Sequence, residues 1–553
     1  MTYAWSVPTT WMPEKPGEGP EIWCYADRFS YDPGDVVALH VHTTAETYDV
    51  EVIADGARPR TVFRREGLPG VACETPEDSY ATGCGWPVAL TVPVEEDWPS
   101  GFYLVIVRIM DGDRVHEREG FFVVRPGDRP KAPIAMVLTT STMLAYNDWG
   151  GANHYRGLPD GAGNDIPTPL SSARRPLARG LCRKPVGAPR NIHTDTPEPG
   201  WIPRHPPYEW ALHNGYSRHH ADAFWATYER PFMVWAQEQG YEIDVLTQHD
   251  LHFEPEILDG YSCALFVGHD EYWTWEMRDA VDRFVDRGGK LARFAGNFVW
   301  QVRLSADGGT QTCHKMPQLD PLLDSDPARV TTAWDWPPIG RPAAETMGLT
   351  GLGGVYIRYG NCVPRASGGF TVYRPHHWAF EGTDLYYGDV FGGAPICVAA
   401  FEVDGVEYTF RRGLPYATGE DGAPDGLEIL AMAPAVTGAE DRWRGQVPFG
   451  APAAEVADLL RAMYDGDVPE HLDKEYGAGM IASFARGAGE VFNAGSCEWG
   501  NGLIHRDPFT ERITRNVLDR FTATAGETGA AQETGSAERA GTTAETGNTG
   551  GEG

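Results

Sequence analysis

The sequence is short of basic residues: 46 Lys and Arg stand against 78 Asp and Glu, a formal net charge of −32 at pH 7. Such a surface repels phosphate backbones and anionic headgroups, so we expect neither a nucleic-acid nor a membrane partner. The sequence also has no apolar run near the roughly 18 residues of a membrane span. Its N-terminus lacks the basic and apolar stretches of a signal peptide. These absences predict a cytoplasmic location.

Several common catalytic signatures are missing as well. The sequence has no HExxH motif, which excludes a zincin, and it has no P-loop and no CxxC spacing. The glycine-rich run Gly351–Gly354 lacks the spacing of a dinucleotide-binding loop. Nine cysteines are scattered along the chain. Cys73 and Cys84 could bridge a loop, but free thiols are the expected state in a cytosolic protein.

The chain does contain enough apolar material for a large core, since 42% of its 553 residues are hydrophobic. Residues 1–130 hold short apolar runs, such as 36–41 and 102–107, divided by turn sequences rich in Asp, Pro and Gly. Period-two runs at this spacing predict an N-terminal immunoglobulin-like β-sandwich.

Residues 131–521 show a different sequence pattern, in which apolar strands alternate with helices. The runs 134–138 and 263–267 are continuously apolar, as expected of buried parallel strands. Thr274 is expected to cap a helix with a clean apolar stripe, and Pro231 to begin another. This alternation predicts an α/β domain built on a doubly wound parallel sheet.

The last segment, residues 522–553, is rich in Gly, Thr, Glu and Ala and has no apolar periodicity. Such a composition cannot bury enough apolar surface to offset the entropy of ordering it. We predict a disordered acidic tail.

Candidate functional residues follow the predicted strands, because open α/β sheets bind ligands at the carboxyl ends of their strands. Four groups of residues occupy such positions and are expected to converge on one crevice: 144–151 with His154 and Tyr155, 268–273, Asn297 with Trp300, and 493–500.

The densest group is Gly-His-Asp-Glu-Tyr-Trp at 268–273. His269, Glu271 and Tyr272 can each act as a metal ligand or a proton carrier. In the alternative interpretation, Asp270 and Glu271 only cap the next helix, and Tyr272 only packs its ring. Asn297 ends a Phe-Ala-Gly-Asn sequence and stands where the nucleophile of a strand–turn–helix elbow would sit.

These residues carry a family resemblance. The sequences GHDEYWTWEM at 268–277 and RGGKLARFAGN at 287–297 resemble the large-subunit family of N,N-dimethylformamidase, and VFNAGS at 491–496 resembles its C-terminal domain. The resemblance implies a glutamine-amidotransferase-like fold without the usual cysteine nucleophile. It also implies a mononuclear iron, held by two tyrosines and one glutamate, that activates water to cleave an amide.

The resemblance assigns the ligands by position. Tyr272 ends a run similar to the family's His-Pro-Glu-Tyr and is the first expected ligand. The second tyrosine belongs near the start of the helix around Pro231, where Tyr228 is the nearest one. The glutamate belongs in a glycine-rich run where this chain has Leu352. Four carboxylates remain candidates for this ligand. Glu345 is the nearest along the chain, and the further candidates are Glu381, Glu402 and Glu498.

The leading hypothesis is therefore a formamidase-like hydrolase that cleaves the C–N bond of a small-molecule amide with water activated by iron. His269 or Glu271 would orient Tyr272 or carry protons, and Asn297 would donate a hydrogen bond to the developing oxyanion.

Two alternatives remain open. One is a non-catalytic carbohydrate- or ligand-binding protein that uses the tryptophans at the strand ends. The other is a metal-free hydrolase in which Glu271 and His269 form the acid–base pair. Packing of the sandwich domain against a second copy would form a homo-oligomer, whereas the resemblance implies a small companion subunit.

Overall fold

The computed structural model describes residues 20–159, 165–192, 206–356, 369–436, 452–474 and 476–523. The predicted tail therefore lies almost wholly outside the described residues. All eight cysteines within them, Cys73 and Cys84 included, are free thiols, as predicted.

The N-terminal region forms two β-sheets, one with the order β1-β3-β6 and one with the order β2-β8-β7-β4-β5. Its elements are β1 Ile22–Ala26, β2 Ser30–Tyr31, β3 Val36–Thr43, β4 Thr47–Ala54, β5 Arg60–Pro69, α1 Ser79–Thr82, β6 Val88–Pro93, β7 Gly101–Asp111 and β8 Arg114–Val124. One apolar core joins side chains from both sheets, among them Val37, Leu39, Val50 and Val105. The likeness of this region to an immunoglobulin domain stays a prediction.

Residues 102–107 of β7 and 120–124 of β8 are buried on both faces. Tyr103 and Val105 point into the core between the two sheets, whereas Phe102, Leu104 and Phe121 belong to the core of the α/β region. Because successive side chains of a strand point to opposite faces, burial of both faces explains why 102–107 is continuously apolar.

The first half of the α/β region contains β9 to β19. Its elements are β9 Ile134–Leu138, α2 Thr140–Tyr146, β10 Leu158–Pro159, β11 Asp165–Ile166, β12 Leu170–Ser172, α3 Pro206–Asn214, α4 Glu229–Glu238, β13 Ile243–Thr247, α5 Gln248–Phe253, β14 Cys263–His269, β15 Tyr272–Trp273, α6 Trp275–Asp286, β16 Lys290–Gly296, β17 Trp300–Gln301, β18 Arg303–Leu304 and β19 Thr310–Thr312. Three 3₁₀ turns follow: Pro317–Leu319, Pro327–Arg329 and Pro337–Ile339.

The second half completes the main sheet. Its elements are α7 Ala344–Met347, α8 Gly351–Gly354, β20 Val355–Tyr356, β21 Phe370–Val372, a 3₁₀ turn Trp378–Phe380, β22 Val390–Phe391, β23 Glu402–Gly405, β24 Tyr408–Arg411, β25 Leu414–Ala417, β26 Glu428–Val436, α9 Pro452–Met463, β27 Tyr476–Arg486, β28 Gly489–Asn493, α10 Trp499–Ile504 and α11 Pro508–Thr522.

The main sheet is mixed. Five strands, in the order β13-β9-β14-β16-β28, run parallel, as the buried apolar runs predict, but β27 and β26 continue the sheet antiparallel. The reason is local: β27 and β28 are joined by the two-residue loop at 487–488, with φ +55° at Gly487, and so short a loop pairs strands antiparallel. The likeness to glutamine amidotransferases stays a prediction.

Helices cover both faces of the parallel strands. Met277, Val281 and Phe284 of α6 pack on one face, and Phe232 of α4 with Val517 of α11 packs on the other. The Thr274 hydroxyl accepts the Met277 backbone N–H at 3.2 Å, which confirms the predicted cap of α6. The helix α4 begins two residues before the predicted Pro231, whose missing N–H is still tolerated in a first turn.

An aromatic stack joins the two regions, and its loss is expected to destabilise the whole chain. The Phe102 and Trp225 rings stack with centroids 4.2 Å apart, and the Trp225 indole N–H donates to Asp55 at 2.8 Å. We expect Trp225→Ala to cost about 3–5 kcal/mol and to lower Tm in a thermal melt. Tyr386→Ala, at a site 71% exposed, is the control and should melt like the wild type. Equal melting of the two variants would contradict this role of the stack.

Candidate active site

The four predicted groups converge at the carboxyl ends of the parallel strands. His269 is the last residue of β14, Asn297 directly follows β16, and Tyr146 ends the helix that follows β9. Cys497 lies in the loop after β28. The prediction that these strand ends share one place in the fold is confirmed.

His269 is fully buried and is held from both ring nitrogens. Its Nδ1 donates to the Asp222 carbonyl at 2.6 Å, and its Nε2 faces Glu402 at 2.9 Å and Glu271 at 3.4 Å. Burial by itself would lower the pKa of His269. The two carboxylates outweigh burial and raise this pKa to about 9. The imidazole is therefore charged at neutral pH.

Glu402, the first residue of β23, is the carboxylate that meets His269. Its Oε2 also accepts from the Asn297 side-chain amide at 2.8 Å. Burial raises the pKa of Glu402 to about 7, against the lowering effect of His269. Of the four carboxylates that the sequence left open, Glu402 is the one that contacts His269 and Asn297. Glu345 and Glu381 are exposed, and Glu498 is buried in an ion pair with Arg190 at 2.7 Å.

Asn297 has the backbone of an elbow. Its φ is +64°, a left-handed conformation that asparagine tolerates better than most residues. The Asp404 carboxylate accepts the Asn297 backbone N–H at 2.6 Å and holds it there. The Asn297 side-chain nitrogen lies 3.2 Å from His269 Nε2. An amide, rather than a nucleophile, therefore occupies the elbow.

Asp404 belongs to a buried ionic network beneath the site. Arg293 is fully buried, pairs with Asp270 and Asp404, and donates to Asn493 at 3.1 Å. The alternative that Asp270 merely caps α6 is therefore wrong, since Thr274 caps that helix. Asp270 instead neutralises an arginine that also holds the Asn297 loop in place.

Glu271 is surrounded by hydrogen-bond donors. Tyr146 donates to it at 2.9 Å, Tyr155 at 2.7 Å and the Trp300 indole N–H at 2.6 Å. The Tyr272 hydroxyl in turn donates to that of Tyr155 at 2.8 Å. The sequence placed these tyrosines near the strand ends but did not indicate that three of them would cluster around one carboxylate.

Lys315 adds a cation to this tyrosine cluster. Its Nζ lies 3.4 Å from the ring centroid of Tyr155, 5.1 Å from that of Trp300 and 5.7 Å from that of Tyr272. Burial, reinforced by Glu271, raises the pKa of Tyr272 well above its usual range. Tyr272 is therefore a neutral phenol at neutral pH.

Tyr228 lies apart from these hydroxyls. Its hydroxyl donates to the Ala221 carbonyl at 3.3 Å, and its ring packs with Phe401 and Cys497. Its Cβ approaches Gly268 so closely that a Cβ on Gly268 would lie 2.1 Å away. This contact explains the glycine at 268 and gives Tyr228 a packing role. A role as a metal ligand stays a prediction.

Three ligand-type side chains do meet: His269 was a predicted site residue, Glu402 was one of four carboxylates left open, and the Cys497 thiol was not predicted. His269, Glu402 and Cys497 are all buried and offer a nitrogen, an oxygen and a sulfur within 4.8 Å of one another. Cys497 belongs to the predicted group 493–500, but nothing in the sequence marked its thiol as different from the other eight.

The three ligand positions that the family resemblance implies do not come together in the structure. Tyr228 and Tyr272 have separate partners, and Leu352 offers no ligand atom. The glycines beside Leu352 serve close packing, since Cβ atoms on Gly353 and Gly354 would lie 2.2 Å and 2.3 Å from backbone oxygens of β23. Two tyrosines and a glutamate do meet elsewhere, as Tyr155, Tyr272 and Glu271, with Lys315 beside them.

A cavity of about 560 Å³ opens above these groups. Its polar lining includes Glu271, Asn297, Glu402, Lys315, His154 and His314. Its apolar lining includes Val299, Trp300, Leu319, Leu352, Val355 and Leu459. A few convergent polar groups within an apolar wall are typical of a small-molecule site.

Polar groups at the carboxyl ends of parallel strands mark the usual ligand site of an open α/β protein. Residues 48–511 match the family described as N,N-dimethylformamidase beta subunit-like, C-terminal. Because this match covers more than half of the sequence, the chain belongs to that family.

Two curated relatives are each named N,N-dimethylformamidase beta subunit. The one from Alcaligenes sp is 25% identical over 261 residues, and the one from Paracoccus aminophilus is 23% identical over 261 residues. Each alignment covers 46% of this chain and 31% of the relative, so the chain spans about a third of the curated relatives' length. Among the described residues, no helix is both long and apolar enough to cross a membrane.

Proposed function

We propose that the chain is a formamidase-like hydrolase that cleaves the C–N bond of a small-molecule amide with water. One observation carries the proposal: the Asn297 amide, the His269 imidazole and the Glu402 carboxylate lie within 3.2 Å of one another beside an apolar cavity. The reaction class is supported by the two relatives, which are named N,N-dimethylformamidase beta subunit.

The polar side chains of the site are suited to the hydrolysis of an amide. An amide nitrogen carries two hydrogens, so Asn297 can hold Glu402 with one and donate to the substrate oxygen with the other. Such a donor stabilises the oxyanion that forms when water adds to the carbonyl carbon. As water adds, one of its protons passes to the His269–Glu402–Glu271 group, and the same group returns a proton to the leaving nitrogen when the C–N bond breaks, so that amine and acid are released.

A metal belongs to this proposal, and the resemblance implies iron. When bound, such an ion polarises the amide carbonyl or supplies hydroxide at neutral pH. Metal analysis of protein purified without chelators tests this part. Full activity in a metal-free preparation would instead favour acid–base hydrolysis by His269 and Glu271.

Hydrolysis itself is tested with a series of N-substituted formamides, by measuring formate and amine release. We expect Asn297→Gly to lower kcat by roughly 10²–10³-fold. Glycine adopts the left-handed backbone freely, so the loss reports the amide rather than strain. Asp384→Gly is the matched control, because Asp384 also has a left-handed φ of +55° but is exposed and lies outside the site.

The variant and its control give a clear decision. Wild-type activity in Asp384→Gly together with the loss in Asn297→Gly supports the proposal. If the wild type binds amides but releases no amine, with or without added metal, the binding-protein alternative replaces it.

A companion subunit is a separate part of the proposal. It is supported by the names of the relatives, which call them beta subunits. Co-purification at native expression, followed by measurement of the mass of the assembly, distinguishes a heteromer from a homo-oligomer.

A further inference from the structure

We propose that His269 Nε2, the Glu402 carboxylate and Cys497 Sγ form a binding site for a divalent transition-metal ion, Fe²⁺ or Zn²⁺. One ligand atom from each of the three buried residues lies within 4.8 Å of the other two, and His269 Nε2 lies 2.9 Å from the Glu402 carboxylate. The set differs from the two tyrosines and glutamate of the family resemblance. Its use in catalysis rests on the proposed function, whereas metal binding is measured independently of it.

The imidazole is already oriented for a metal. His269 donates its Nδ1–H to the Asp222 carbonyl at 2.6 Å, which leaves Nε2 as the atom that faces Glu402. Asp222 is itself fixed by His219 at 2.7 Å and by Asn191 at 2.8 Å. A backbone carbonyl behind the distal nitrogen is the usual support of a metal-binding histidine.

A metal would replace a proton at this position. His269 Nε2 faces the Glu402 carboxylate at 2.9 Å and the Glu271 carboxylate at 3.4 Å. Metal ligands bind in their deprotonated forms, so any proton held at Nε2 and the proton of the Cys497 thiol would be released on binding. The positive charge that the two carboxylates require is then supplied by the ion.

The neighbouring oxygen ligands are less suited to a cation. Glu271 already accepts from Trp300, whose indole N–H can only donate, and from Tyr146 and Tyr155. The Lys315 ammonium lies against Tyr155, and a second cation there would be repelled. The mixed nitrogen, oxygen and sulfur set has no comparable cation beside it among the described contacts.

The donor types decide the class of metal. Thiolate and imidazole favour iron and zinc over magnesium and calcium. Three protein ligands also leave one position open, as in catalytic zinc sites. Glu402 and Asn297 line the cavity, so the open position would be reached from the substrate side.

The test uses the full chain, stripped of metal and titrated with Co²⁺ without oxygen. We expect one equivalent to bind and to give a thiolate-to-cobalt charge-transfer band in the near ultraviolet. Cys497→Ser should abolish that band and weaken Co²⁺ binding by roughly 100-fold, since even indirect partners of metal ligands cost roughly 10- to 100-fold.

Two control variants distinguish this site from a different buried thiol and from the tyrosine cluster. Cys24→Ser removes an equally buried thiol from the core of the N-terminal sheets and should keep the full band. Tyr272→Phe should keep it as well. A tyrosinate band in the iron-loaded protein that Tyr272→Phe removes would overturn the proposal in favour of Tyr155, Tyr272 and Glu271.

A measurement on the wild type covers the case in which Cys497→Ser does not fold. X-ray absorption of the Zn²⁺-loaded chain should show one sulfur at about 2.3 Å, and a shell of nitrogen and oxygen alone would overturn the proposal. Metal held by this set without amide turnover would refute the proposed function alone. Amide turnover without bound metal, and with no uptake on titration, would refute this inference and the metal part of the proposed function, but not amide hydrolysis itself.

Discussion

Glu402→Gln is expected to lower kcat/KM for amide hydrolysis by roughly 10²–10⁴-fold. Glutamine keeps the size of the side chain and can still accept the Asn297 hydrogen bond. It removes the negative charge that faces His269 at 2.9 Å. That charge serves the reaction whether Glu402 acts on a proton or binds a metal. The loss is measured as a change in steady-state amine release.

The matched control is Glu381→Gln, which makes the same chemical change at an exposed carboxylate. It should leave kcat/KM unchanged. The Tm of Glu402→Gln should stay near that of the wild type, because the substitution removes the desolvation cost of a buried carboxylate and leaves Glu271, at 3.4 Å, to face His269. Full activity in Glu402→Gln would exclude this carboxylate from the mechanism.

Arg293→Met is expected to have the largest effect on stability, a loss of about 3–5 kcal/mol. The substitution keeps an unbranched apolar chain in place but leaves Asp270 and Asp404 buried without a counter-charge. The midpoint of urea unfolding measures the loss. Because Asp404 also holds the Asn297 backbone, activity should fall even below the denaturation midpoint.

Arg287→Met supplies the comparison for this prediction. Arg287 pairs with Asp259 at 3.5 Å, and both side chains are more than half exposed, so its loss should cost about 0–1 kcal/mol. Similar unfolding midpoints for the two variants would show that the buried network does not hold the sheet together.

The elements that the sequence predicted well are those with strong local patterns. Continuous apolar runs identified β9 and β14, and the stripe after Thr274 identified α6. The position of the site followed from the same information, since parallel strands place their carboxyl ends at one edge. Local patterns do not report sheet direction, which for β27 depends on the short loop that follows it.

Local sequence patterns could not predict which side chains meet at the site. Glu402 and Asn297 are 105 positions apart, and Glu402 stood as one of four carboxylates that the sequence could not rank. Cys497 was one of nine scattered thiols. Tyr228 lay close to the expected ligand position along the chain, but its hydroxyl points to the Ala221 carbonyl.

The sequence by itself therefore determined the family, the strands and helices with clear periodicity, and the edge of the sheet where chemistry belongs. Only the tertiary structure decided which groups share that edge: the pairing of His269 with Glu402, the approach of Cys497, and the enclosure of Glu271 by hydroxyls. The physical reason is that periodicity depends on neighbours a few residues away, whereas the charge and ligands at a buried point depend on segments that only the folded chain brings together.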